Sequence, residues 1–153
     1  MKRFAFTLIV FLSLSLTLQA QSRLEGTWKG TMTLHGLNSS EAVPFELYLQ
    51  KKGAKLVGRS YIYLKDQPAI EMEVNGSLYG DLSIYLKETD FIPMPGKEEE
   101  KPEFNRKYQL MYMPSIWDTR MEGFWQELTD HNFSENRRLG RIKLTKMKDR
   151  KKA

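Results

Sequence analysis

Cysteine is absent from all 153 residues. That excludes disulfides, thiolate metal sites, a thiol nucleophile and a lipid attached to a cysteine behind a leader. Histidine is scarce: His35 and His131 lie far apart, and His131 has only the adjacent Asp130 beside it. Neither spacing suits a metal site, so both are expected at the surface. A Gly-any-Ser-any-Gly elbow is missing, as is a glycine-rich phosphate loop, which removes the usual signs of serine hydrolysis and nucleotide binding. Glu71, Glu73 and Glu122 are available carboxylates, but no spacing selects a glycosidase-type pair, and solvent-facing charge is expected of them. The chain is therefore read as non-catalytic, with no cofactor and no metal. Beyond the first twenty residues no apolar run approaches the length of about 20 needed to span a membrane.

What is present begins with those twenty residues. Lys2 and Arg3 precede an uncharged stretch from Phe4 to Leu18, and Leu18-Gln19-Ala20 ends on a small residue. This is the layout of a cleaved export signal over residues 1–20, with an uncleaved N-terminal anchor as the alternative. A secreted or periplasmic protein is expected. Residues 21–148 are long enough for one domain with its own core, and residues 149–153 form a short basic tail.

Charge is unevenly placed. The chain has 24 basic and 19 acidic side chains, a net +5. Nine bases and one acid, Asp149, lie from Arg137 to Lys152, whereas residues 21–136 hold 13 bases and 18 acids. An acidic body with a basic end points either to contact with an anionic surface or to a solvated last strand. Nucleic acid is excluded as a partner by the acidic body and the export signal.

The mature region reads as successive strands with period two. Trp28, Gly30, Met32 and Leu34 share one face of residues 26–35, and Phe45, Leu47 and Leu49 share one face of the second strand. A hairpin at Gly53 leads to residues 56–64, where Tyr61 and Tyr63 oppose Ile62 and both faces carry apolar groups, so the inward face stays open. Further strands are expected at 70–78, 82–87, 107–113, 120–128 and 139–147. Between the fifth and sixth, Pro93, Pro95, Gly96 and Pro102 flank a charged run around Glu98, which reads as a solvated loop. Eight sequential strands with short turns imply an all-β protein. An antiparallel up-and-down barrel is expected, with a two-sheet sandwich as the alternative.

Gly26-Thr27-Trp28 opens the first strand directly after the leader. With the later order of Gly58-Arg59-Ser60-Tyr61, Asn75-Gly76-Ser77, Glu122-Gly123-Phe124-Trp125 and Gly140-Arg141-Ile142, this resembles the lipocalins and the wider calycin group. The resemblance implies that Gly26 turns the chain into the barrel base and that Trp28 plugs it. It also implies a basic side chain over Trp28, supplied by Arg141, Lys143 or Lys146. Trp117-Asp118-Thr119-Arg120 departs from the Thr-Asp-Tyr element that lipocalins carry before strand seven, and no following helix is legible.

Aromatic residues give the functional expectation. Tyr61, Tyr63, Tyr85, Tyr108, Tyr112, Trp117 and Trp125 gather on the strands and one connection. A barrel mouth lined by rings with a few polar groups suits a small, partly apolar ligand. The candidate contacts are Tyr61, Tyr63, Tyr85, Tyr112 and Trp125, with Arg59 or Arg120 as polar anchor. Gly26, Trp28 and Arg141 are assigned to the barrel base. Ile116-Trp117 is expected to fold back over the core. The alternative function is a solid-core interaction module that meets a protein or an anionic surface through its basic C-terminal strand and exposed aromatics.

Overall fold

The computed structural model describes residues 23–96, 101–129 and 137–148. The leader, the run around Glu98, the segment with His131 and the tail 149–153 lie outside the described residues. Eight strands follow one another: β1 Gly26–Thr33, β2 Ala42–Lys52, β3 Lys55–Ile62, β4 Ile70–Leu78, β5 Ser83–Phe91, β6 Arg106–Met113, β7 Arg120–Glu127 and β8 Leu139–Lys146. Each pairs antiparallel with the next, and β8 pairs back to β1, so the sheet closes as a barrel in chain order. Closure leaves no strand edge open to solvent, which the sandwich alternative would have exposed. The arrangement is compatible with a lipocalin-like barrel.

Alternation decides what enters the barrel. Trp28 and Met32 from β1, Phe45, Leu47 and Leu49 from β2, and Ile84 and Leu86 from β5 are all buried inside. On β3 the buried set is Leu56, Ser60 and Ile62. That settles the open facing: Arg59, Tyr61 and Tyr63 project outward. Registers Leu47↔Ser60 and Ser60↔Met72 fix this parity, because partners across a ladder share a face. β5 runs four residues beyond the expected end at Lys87, and a bulge opposite Met72 and Val74 lies just after Glu88. A bulge bends its strand and re-aims nearby side chains.

The two ends of the barrel differ. One end collects Gly26, the hairpin at Gly53 and the β4–β5 and β6–β7 turns. The other collects the β1–β2, β3–β4, β5–β6 and β7–β8 connections. Trp28 lies at the first end: it is fully buried, its indole N–H donates to the Leu24 carbonyl at 2.9 Å, and Tyr112 meets it edge-on at 6.0 Å. Gly26 has φ +111°, a conformation that L side chains rarely adopt. The cation over Trp28 is Lys146, with Nζ 5.7 Å from the ring centroid. Lys146 is one of the three bases that the sequence offered, whereas Arg141, placed at the barrel base from the sequence, is exposed near the opposite end, where its backbone N–H donates to Thr33 Oγ1 at 2.8 Å. Lys146 reaches Trp28 because it is Trp28's partner across the β1–β8 ladder.

Candidate functional site

The candidate site is the second end, the mouth. Leu34, His35, Gly36, Leu64, Phe104, Arg106, Trp125, Arg138 and Leu139 are among the residues that line an open pocket of about 670 Å³. Trp125 forms one wall. It is buried, and its indole N–H donates to the Thr33 carbonyl at 2.7 Å. The ring fits because its ladder partner is Gly140: a Cβ there would lie 2.4 Å from Trp125 Nε1 and 2.0 Å from the Thr33 oxygen. Phe104 stacks at 11° to Trp125 with centroids 6.4 Å apart.

Arg106 lies against both rings, its guanidinium carbon 4.7 Å from the Phe104 centroid and 5.4 Å from that of Trp125. Beneath it lies Glu88, whose side chain has no exposed area. Glu88 Oε2 accepts the Arg106 backbone N–H at 2.7 Å and faces Arg106 Nη1 at 3.4 Å. Glu88 Oε1 accepts the Ser60 hydroxyl at 3.2 Å and also the Tyr108 hydroxyl. Asn105 Nδ2 donates to the backbone carbonyls of Glu88 and Thr89, both at 3.3 Å, tying the bulge to the β5–β6 connection. A buried carboxylate needs this many partners, since an unpaired one is far too costly to hold inside. Burial pushes the Tyr108 hydroxyl well above its ordinary pKa, and the neighbouring Glu88 adds to the rise against an opposing pull from Arg106. Arg106 Nε is buried with no hydrogen-bond partner among the described residues. A guanidinium braced from below and flanked by rings can meet a polar or anionic group entering from the pocket.

The structure brings few of the sequence-selected ligand residues together. Trp125 lines the mouth. Tyr112 is inside but at the plugged end, and its buried hydroxyl has no partner among the described residues; burial raises its pKa. Arg59, Tyr61, Tyr63, Tyr85 and Arg120 are corrected to the outer surface. Their neighbours on β3, β5 and β7, namely Ser60, Ile84, Leu86 and Met121, take the inward positions. Outside, Arg59 pairs with Glu71 at 2.7 Å, and the Tyr61 hydroxyl donates to the same carboxylate at 3.2 Å. Arg120 pairs with Asp118 at 3.3 Å. These are cross-strand and turn contacts of a solvated surface. Ile116 and Trp117 do not fold back: they are 78% and 83% exposed.

Glu88, Arg106 and Phe104 were not singled out from the sequence. A signal was there. Glu88 continues the inward parity of Ile84 and Leu86, and Arg106 that of Tyr108 and Leu110. An acid and a base therefore fall on the inner face of adjacent strands. Among the described residues no group of three or more His, Asp or Glu side chains converges as a metal site would require. No protein-family model, curated protein or solved structure matches this chain.

Proposed function

We propose that this protein is an exported, lipocalin-like barrel that binds a small, partly apolar molecule in its mouth without transforming it. The observation that carries the reading is the pocket of about 670 Å³ whose walls combine Leu34, Leu64, Phe104 and Trp125 with Arg106. Its size and its mix of apolar walls with a few charged groups, Arg106 beside Arg137 and Arg138, match small-ligand sites. The rings would take the apolar part of the ligand. Arg106 would take a carboxylate, sulfonate or similar acceptor. The filled interior below Glu88 limits the ligand to the mouth, so it would be held shallowly and released readily. The uncharged run from Phe4 to Leu18 supports the export half of the proposal.

The test uses 1-anilinonaphthalene-8-sulfonate, which has both an aromatic body and an anionic group. Saturable one-site fluorescence enhancement is expected. An Arg106→Met variant should weaken it about tenfold, the scale of one lost charge-assisted hydrogen bond. Phe124→Ser, on the outer wall, should leave it unchanged. Circular dichroism checks that each variant is folded. Absence of saturable binding by the folded wild type, or equal loss in Phe124→Ser, would overturn the mouth as the site.

A further inference from the structure

The plugged end carries an exposed feature that the fold itself does not use. The β6–β7 turn is braced at Ser115: its hydroxyl accepts the N–H groups of Trp117 at 3.2 Å and Asp118 at 3.3 Å. Its carbonyl accepts the Thr119 hydroxyl at 2.7 Å. The turn so braced leaves Ile116 and Trp117 exposed and off the core. Beside them Met147 is exposed, and Arg23, Lys146 and Lys148 line the same shallow groove. Among the described residues the one acid lining the groove, Asp118, is paired with Arg120 at 3.3 Å. In sequence, Lys148 is followed by Asp149-Arg150-Lys151-Lys152. Bare apolar tips inside a basic ring are costly in water and suited to one environment.

We propose that this end docks on an anionic lipid surface. Ile116 and Trp117 enter the headgroup region, where amphipathic rings are favoured, while Arg23 and Lys148 lie over lipid phosphates. Charge complementarity selects lipid as the occupant, and a turn held away from the barrel wall suits a soft layer. The mouth then opens away from the membrane, about 20 Å above it for tilted strands of this length. The proposal does not depend on what the mouth binds.

The experiment follows Trp117 emission in the full chain. Trp28 and Trp125 are buried, so the long-wavelength emission belongs to Trp117. Vesicles of phosphatidylcholine with about one-third phosphatidylglycerol should shift that emission to the blue and, with brominated acyl chains, quench it. Pure phosphatidylcholine should bind about tenfold more weakly. Ile116→Ser combined with Trp117→Ser should lower partitioning into anionic vesicles at least about tenfold. Lys148→Glu should lower it while keeping the Trp117 signal. Three results would overturn the proposal. One is an unmoved Trp117 emission, even where the protein sediments with vesicles through its N-terminal segment. Another is an equal shift on neutral vesicles. The third is a concentration-dependent blue shift without vesicles, which would assign the tip to a second copy of the chain.

Discussion

The two buried tryptophans stand at opposite ends of one barrel and are built alike. Each donates its indole N–H to a backbone carbonyl, Leu24 for Trp28 and Thr33 for Trp125. Each has a cation near its ring, Lys146 at 5.7 Å and Arg106 at 5.4 Å. They differ in what holds the cation. Lys146 is tied to the backbone carbonyls of Arg23 and Glu25, so it staples the N-terminal segment down as a plug. Arg106 is held from inside by Glu88, and its outer side faces the pocket. The same ring-and-cation device closes one end when anchored to main chain and leaves the other open when anchored to a buried carboxylate.

Replacing the rings separates the two cases most strongly. Trp28→Ala should cost about 4–5 kcal/mol in urea unfolding, because nothing collapses into a plug enclosed on all sides. Trp125→Ala should cost about 3 kcal/mol, since water can enter from the mouth. Equal losses would mean that the mouth is as closed as the base. Breaking the anchor comes next. Glu88→Gln leaves the Arg106 charge buried beside a neutral amide, with an expected loss of about 2–3 kcal/mol. Adding Arg106→Met should recover part of it, and no recovery would show that Glu88 serves Tyr108 and Ser60 more than Arg106.

The alkaline limb offers a subtler separation. Folded Tyr108 keeps its proton above the ordinary tyrosine value of 10.0. The unfolded chain loses that proton first, so stability should fall as pH rises past about 10, by up to about 1.4 kcal/mol per pH unit. Tyr108→Phe should flatten this slope, measured as the urea midpoint against pH. The smallest effect is expected at the plugged end. Tyr112→Phe removes a buried hydroxyl without a partner among the described residues and should change stability by less than about 1 kcal/mol, in the stabilising direction. A clear loss would reveal a partner for that hydroxyl.

How much of this was legible in the sequence depends on how one-sided each strand is. β2 and β4 present apolar groups on one face and charges on the other, and their facing follows from alternation alone. β3 does not, because Tyr61 and Tyr63 oppose Ile62, and the inward polar residue is Ser60. Its facing is set by the registers with β2 and β4, which place Ser60 inside, where its hydroxyl reaches Glu88 on another strand. That is a long-range pairing, invisible to a local window. Trp28 was legible because Gly26 and the strand start mark it. Its cation was not: three bases on one strand compete, and only the β1–β8 register selects Lys146. The Ile116-Trp117 tip is not legible, because apolar residues belong inside by default, whereas hydrogen bonds of the Ser115 and Thr119 hydroxyls brace this turn with both side chains exposed.

Seven of the eight strand pairings join chain neighbours, and only β1 with β8 reaches across the whole domain, from Met32↔Ile142 to Trp28↔Lys146. Local hairpins form fast, whereas closing a loop of this length is entropically dear and slow. The sheet is therefore expected to grow as an open ribbon, with β1–β8 the last seam to shut. That seam is latched at both ends, by Lys146 on the Glu25 carbonyl and by the Gly36 N–H on the Leu139 carbonyl at 3.0 Å. Until both latches engage, β1 and β8 are exposed edges, and the time before closure is the period in which two chains can exchange strands.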